Sequence, residues 1–353
     1  MRELLESSVE RLLAEYATPQ VRLACDQGAW PPTLWTAIAE SGFALAAVPE
    51  SLGGAGATWH DLFGVLHACG RNGAPAPLPE AMLANWLLGQ AGLAPVEDKL
   101  SFGLGEGLAI RGGRVSGNLA AVPWGRDVDV VVGVADAPEP TVVVLAVKDA
   151  AQTLLRSNAA GEPRDNLHFD NAPVLAQAPL PGRLGADVLL RGGALLRSVQ
   201  IAGALEAVLE MTQKHAIERS QFGKPIGSFQ AIQHQIAVLA EHAALARSAS
   251  ESACACASAS AEFELLALAS AKVCAGEAAG VAAGIAHAVH GAIGFTHEHT
   301  LHLSTRRLWA WRSEFGSATH WSTLIGRAVC ARGSRALWPA VTRGSFDYAG
   351  ALS

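Results

Sequence analysis

Apolar positions near the start of the chain recur every three to four residues. Leu5, Val9, Leu12, Leu13 and Tyr16 share one face at helical spacing. Pro31-Pro32 closes one segment and opens another at Thr33, because proline suits the first turn of a helix. The run Asn72-Gly73-Ala74-Pro75-Ala76-Pro77-Leu78-Pro79 reads as a loop, and Glu80 to Gln90 resumes the helical period. Residues 1–97 are therefore predicted to form an N-terminal all-α domain. The period changes near residue 98. Val128 to Val134 and Thr141 to Val147 are short β-branched runs separated by Pro138-Glu139-Pro140, which predicts a hairpin or two neighbouring strands. Leu167-His168-Phe169-Asp170 fits a further strand, so 98–182 reads as a small β domain. Gly103-Leu104-Gly105-Glu106-Gly107 lacks the strand-to-helix context of a dinucleotide loop and is predicted to be a flexible turn. From 183 to 353 the helical period returns in Leu195–Ile217, Phe229–Ala259, Phe263–His290 and Thr319–Val341. Long Ala-rich patterns of this kind suit a helical bundle.

Composition narrows the function. At 353 residues the chain exceeds one small core. Half of it is hydrophobic, only 16% is charged, and the net charge is −6, which argues against a nucleic-acid surface. The opening Met1-Arg2-Glu3-Leu4-Leu5-Glu6 carries charge where a signal peptide needs an apolar stretch. Ala278 to Thr296 is long enough to span a bilayer, but it holds His287, His290 and four glycines. It is expected to be a buried helix followed by a loop, with no membrane partner. The six cysteines are scattered without a Cys-x-x-Cys pair, consistent with small buried hydrophobes and a reducing cytoplasm.

The most informative stretch runs from Arg219 to His234. It places Arg219, Phe222-Gly223, Lys224-Pro225 and Gln230 just before a long helical pattern. A guanidinium fork suits a pyrophosphate, an aromatic suits a nucleotide ring, and a helix start offers unpaired N–H groups. Two further segments fall in step with it. Trp35 and Glu40-Ser41-Gly42 precede Val48-Pro49-Glu50-Ser51-Leu52-Gly53-Gly54-Ala55-Gly56. Later, His290-Gly291-Ala292-Ile293-Gly294-Phe295-Thr296-His297-Glu298-His299 is followed by Arg306-Arg307. Together these resemble the acyl-CoA dehydrogenase family, in family order and over nearly the whole chain.

The resemblance implies a helical N-terminal domain, a small β-barrel or sandwich, and a C-terminal four-helix bundle. It also implies FAD as cofactor. A carboxylate base removes the α-proton of an acyl-CoA thioester, a hydride leaves the β-carbon for the flavin, and an electron-transfer flavoprotein collects the electrons. In the family one subunit holds the flavin ring while its neighbour reaches over with Arg-x-x-Phe-Gly and a following Gln. Arg219, Phe222 and Gln230 match that reaching half. Where the family has a glutamine before its Gly-Gly-x-Gly segment, this chain has Ala288, with Gly291 nearby.

Other family positions differ. The flavin-ring loop aligns with Ser101 to Gly113 without its motif, and the turn that follows becomes Ala121-Val122-Pro123-Trp124-Gly125, after Gly117. Trp124 is either a displaced flavin neighbour or a core tryptophan. The two places that supply the family's catalytic glutamate hold Gly193 and Phe315, leaving Glu314, one residue away, as the candidate base. Glu298 is expected to be a structural hydrogen-bonding group. Ala194 takes the place of the family's helix arginine, so Arg191 or Arg197 is the candidate cation for CoA phosphates. Trp309, Trp311 and Trp321 are expected to pack between helices.

Three readings follow. The chain resembles the smaller, partner-type subunits of heteromeric acyl-CoA dehydrogenases acting on bulky thioesters such as steroid side chains, and would complete a catalytic relative's FAD site in a heterotetramer. Alternatively it is a self-sufficient homodimer or homotetramer using Glu314 or another base. The third reading is a structural subunit without FAD. A metal site is weighed because His287, His290, His297, His299 and His302 crowd one region. Only Glu298 accompanies them and no Glu-x-x-His repeat occurs, so none is expected.

Overall fold

The computed structural model describes residues 1–136, 139–260 and 262–343. Pro138 in the expected 138–140 turn therefore lies outside the described residues. The chain divides into two compact units, one of residues 1–64 and 74–193, the other of 65–73 and 194–353. Two of the three divisions fall inside helices, after Gly64 and after Gly193, and the third follows Gly73 in the loop after the first of these helices.

The first unit begins with α1 (Arg2–Tyr16), α2 (Pro19–Asp26), α3 (Pro32–Ser41), the start of α4 (Trp59–Arg71) and α5 (Leu78–Gln90). Thr58 and Asp61 cap α4 reciprocally, the Thr58 N–H donating to Asp61 at 3.0 Å and the Asp61 N–H to Thr58 Oγ1 at 3.2 Å. The strands are β1 (Leu100–Phe102), β2 (Leu104–Arg111), β3 (Arg114–Pro123), β4 (Val130–Ala135), β5 (Thr141–Ala146), β6 (Gln152–Leu154), β7 (Arg164–Pro173) and β8 (Ala176–Pro179). They form two four-stranded sheets, ordered β1-β4-β5-β8 and β2-β3-β7-β6, with β1 and β4 parallel and the other pairs antiparallel. Leu119, Val122 and Phe169 of one sheet share a buried core with Val131, Val143 and Leu145 of the other. Among the described residues the sheets do not close, so the arrangement is a sandwich rather than a barrel.

One local expectation is corrected here. Residues 104–107 open strand β2 instead of forming a flexible turn. At Gly105 the backbone runs so close to the Val134 carbonyl that a Cβ would sit 2.6 Å from that oxygen. The glycine that suggests a turn instead permits a strand to pass against a neighbour.

The second unit contains the end of α4, most of α6 (Val188–Glu218), the short strands β9 (Ser220–Gln221) and β10 (Lys224–Pro225), α7 (Gln230–Ser260), α8 (Leu265–His290), α9 (Leu301–Trp311), α10 (Ala318–Arg332) and α11 (Ser334–Arg343). α8 packs on α7, α9 and α10. Its buried face is rich in alanine, including Ala271, Ala275, Ala278, Ala282 and Ala286, and small side chains bring helix axes close. The end of α4 crosses α6 still more closely. A Cβ on Gly70 would lie 2.0 Å from the Gln200 carbonyl oxygen, and one on Gly203 2.0 Å from that of His67. Arg71 then binds Glu210 at 2.8 Å, and Glu206 meets both His67 and Arg247. The expected single helix Thr319–Val341 is instead two helices broken at Gly333, where φ is 79°.

Two helical stretches, Val188–Glu218 and Leu265–Phe295, are long and apolar enough to cross a bilayer by length and composition. Their apolar windows are 89% and 56% buried in the fold, as in core helices. All six cysteines are free.

Candidate functional site

After α6 the chain reverses through β9 and β10, which pair Gln221 with Lys224 and Ser220 with Pro225. The Ile226 N–H donates to the Arg219 carbonyl at 2.8 Å and closes the hairpin. The two connecting residues, Phe222 and Gly223, have φ of 53° and 81°, the pattern of a type I′ turn. Glycine takes such a φ freely, whereas a bulky aromatic does not. Holding Phe222 there costs on the order of 1–3 kcal/mol. Phe222 is also 90% exposed, so no burial within its own unit offsets the strain. Phe229 meets it edge-on at 6.1 Å, and the Lys224 ammonium lies 4.4 Å from the Phe229 ring centre.

This hairpin forms one wall of an open cleft of about 800 Å³ within the second unit. Arg219, Phe222 and Ile226 line one side, and the end of α8 from Ala288 to Gly291 lines another. Gly291 ends α8 with φ 63°. Arg219, Phe222 and Gly291, three of the expected cofactor contacts, thus share one cleft. The fourth, Gln230, stands exposed as the first residue of α7 and is not part of its lining.

Sequence reasoning missed His215, which lines this cleft with His290, and the stacking of the imidazoles there. His215, one helical turn before Arg219 on α6, stacks on His290 at 4.5 Å, and His299 meets His290 edge-on at 4.8 Å. Burial lowers the pKa of all three, and the neighbouring imidazoles lower each further. His290 is 5% exposed. Its Nδ1–H donates to the Ala286 carbonyl at 2.7 Å, while its buried Nε2 has no hydrogen-bond partner among the described residues. A histidine four positions before the motif arginine was the available signal for His215; nothing in the sequence marked the stack. Among the described residues no three His, Cys, Asp or Glu side chains gather as a metal-binding set. His299 does not share a helix with His302; its Nδ1 accepts from the Leu301 N–H at 3.1 Å, at the start of α9.

Glu314 lies in the turn between α9 and α10. Its carboxylate accepts from Arg197 Nε at 2.7 Å, and the Arg197 side chain is 1% exposed. Trp311 and Phe315 flank that guanidinium, at 5.8 and 5.5 Å from the ring centres, and Gln200 also accepts from it. Arg197 is therefore a buried structural cation and does not serve CoA phosphates, while Arg191 pairs with Asp187 at 2.7 Å. Below this group sits Lys272, fully buried, donating to the carbonyls of Trp311 and Arg312 at 3.0 and 2.9 Å. Phe315 has φ 53° and Gly193 is buried in α6, so the two family base positions carry no titratable group. Trp124 is 6% exposed and packs edge-on against Trp30, as a core tryptophan does. Trp311 and Trp321 are buried as expected, whereas Trp309 is half exposed beneath Arg312. Glu298 is exposed.

An adenosine diphosphate moiety needs a cation for its phosphates and a flat apolar surface for its base. Arg219 and the exposed Phe222 ring supply such groups, so the cleft fits that end of FAD.

Comparison with known proteins agrees with this reading of the fold. Residues 2–96 match the family model of the acyl-CoA dehydrogenase N-terminal domain, and 186–329 match that of the C-terminal domain. Acyl-CoA dehydrogenase IpdE2 of Mycobacterium tuberculosis is 32% identical over 317 residues, covering 87% of this chain and 90% of the relative. Its namesake from Mycolicibacterium smegmatis is 32% identical over 315 residues, covering 87% and 91%. Among solved structures, the ChsE4-ChsE5 complex from Mycobacterium tuberculosis shares the fold with a TM-score of 0.81 at 24% identity, covering 92% of this chain and 96% of that one. Two matched domains and a relative at this identity over 90% of its length make this chain a member of the acyl-CoA dehydrogenase family, oxidoreductases that use FAD.

Proposed function

We propose that this chain is an acyl-CoA dehydrogenase subunit that completes the FAD site of a second, catalytic member of the family, in a heterotetramer in the cytoplasm. The observation that carries this reading is Phe222, an aromatic held at φ 53° and 90% exposed beside Arg219. Strain at an exposed ring makes sense when the surface it meets belongs to another polypeptide. Arg219 would grip the pyrophosphate, Phe222 would cover the adenosine, and Gln230 and Gly291 would complete the contact.

The bound flavin would accept the hydride from the acyl-CoA β-carbon and pass electrons to an electron-transfer flavoprotein. The α-proton would go to a carboxylate of the partner, because Gly193 and Phe315 offer none and Glu314 is engaged by Arg197. A heteromer is also supported by relatives of the same fold: one solved neighbour is a complex of ChsE4 with ChsE5, and another is described as a Tcur3481-Tcur3483 steroid acyl-CoA dehydrogenase. A bulky thioester such as a steroid side chain is the proposed substrate class. Residues 1–97, 98–182 and 183–353 are proposed as the domains of the subunit, the last carrying the reaching hairpin.

Flavin absorbance and dye-coupled acyl-CoA oxidation of the chain purified alone, and co-purified with a catalytic family member that carries the base, test the proposal. Little flavin and no turnover are expected alone, with both restored in the complex. Full flavin occupancy with turnover by the chain alone would overturn it. In that case Glu314→Gln should abolish the activity, as the homomeric alternative requires.

A further inference from the structure

We propose that His290 is a proton-gated phosphate ligand of the cleft, so that the adenosine diphosphate end of the cofactor binds together with a proton. The inference rests on the reading that this cleft takes that end of FAD, and deepens it.

His290 is 5% exposed and lines the cleft that Arg219 also lines. Its Nδ1–H is committed to the Ala286 carbonyl at 2.7 Å, which fixes the ring and leaves Nε2 as the free nitrogen. In the neutral ring Nε2 is a lone pair and repels a phosphate oxygen. Protonated, it is a charge-assisted donor. His215 stacks on His290 and stands four residues before Arg219 on α6, so the stacked rings lie about one helical turn, roughly 5 Å, from the arginine's place on that helix. Guanidinium and imidazolium would then grip one diphosphate from neighbouring points.

The groups facing His290 keep it neutral until an anion arrives. They are His215, with Arg219 beyond it, from α6; His287 from its own helix; and His299, with His302 behind it, from the turn into α9. Each is neutral or cationic. Among the described residues, the carboxylate of Glu218 opposes this trend, and it acts on His215. Burial, with His215 and His287, holds His290 below its ordinary value against the opposing Ala286 hydrogen bond, and a bound diphosphate would raise it. Binding therefore takes up a proton between the free and bound values. Affinity is full below the free value and falls as pH rises toward the bound one, by up to about tenfold per pH unit for one proton.

The test titrates ADP into the full chain by calorimetry between roughly pH 5.5 and 8, in paired buffers of unlike ionisation enthalpy. Near neutrality the expected results are uptake of a fraction of one proton and affinity that weakens with rising pH. In His290→Asn, affinity at acid pH should fall about tenfold and the proton uptake should vanish. Ala288 is exposed on the same cleft. An amide there donates without a proton, so Ala288→Gln combined with His290→Asn should regain affinity with no pH dependence. ADP binding without proton uptake, or an unchanged His290→Asn, would overturn the role of His290 while leaving the cleft's function intact. No ADP binding by the wild type at any pH, or undiminished binding by Arg219→Ala, would overturn the cofactor reading itself.

Discussion

Phe222 shows how one residue can serve function against stability. Its φ of 53° would suit asparagine or glycine, and its exposed ring gains nothing from its own unit. Phe222→Asn should therefore stabilise the chain alone by about 1 kcal/mol, read as a higher urea midpoint, since strain at a single position is of that order. The same change should reduce the flavin retained by the complex with its partner. A lower midpoint, or undiminished flavin, would show that the ring is placed for folding rather than for reach. At this scale the sequence was informative where a motif fixed a residue's role: Arg219, Phe222 and Gly291 could be read from it and share the cleft. It said little about His290, because the free Nε2 depends on a carbonyl four residues earlier and on a ring 75 positions away in sequence. Nor did it show that Glu314 faces a buried Arg197, a pairing between α6 and the turn after α9, far apart along the chain.

At the level of elements, the end of α9 depends on a lysine from another helix. The final carbonyls of a helix lack intrahelical partners. Here the Lys272 ammonium supplies them, reaching Trp311 and Arg312 from the middle of α8, and so anchors the turn that holds Glu314 and Phe315. Burial lowers its pKa from 10.5 to about 7, with Glu314 opposing the shift and Arg197 and Arg312 adding to it. The unfolded lysine stays protonated to about pH 10.5 while the folded one releases its proton near 7, so between these values the unfolded state binds more protons. Stability should therefore rise with pH across that window, and this gain is lost as pH falls back through the folded value. Urea unfolding from roughly pH 7 to 9 should show that rise, and Lys272→Met should flatten it relative to wild type. Equal slopes in the two proteins would mean that the ammonium reaches water. Most elements were legible beforehand because period and composition set them, as in α1, α5 and α8. The exceptions were set by contacts that periodicity cannot carry. Gly105 lets β2 pass against Val134, and the helix break at Gly333 interrupts an otherwise continuous pattern. Gly70 and Gly203, which look like weak helix positions, are required by the crossing of α4 and α6.

For the whole molecule, the hairpin, the cleft and the positions lacking a base point the same way. The second unit offers a cleft whose aromatic finds no burial at home, as the proposed cofactor grip requires, while the places that would abstract a proton hold Gly193 and Phe315. A protein built this way should be stabilised by FAD chiefly in company. A ligand that binds only the native assembly adds RT ln(1 + [L]/Kd), about 2.7 kcal/mol at a hundredfold excess over Kd. With FAD shared between two polypeptides, that increment belongs to both and grows with protein concentration. Adding FAD to the chain alone should shift its melting temperature little, because Arg219 and Phe222 grip one end of the dinucleotide only. Adding it to an equimolar mixture with the catalytic partner should raise the melting temperature of both chains by several degrees and merge their transitions. Arg219→Ala, an exposed substitution that leaves the core packing untouched, should return the mixture to two separate transitions. If FAD instead stabilised the isolated chain as strongly as the mixture, the subunit would hold a complete site of its own.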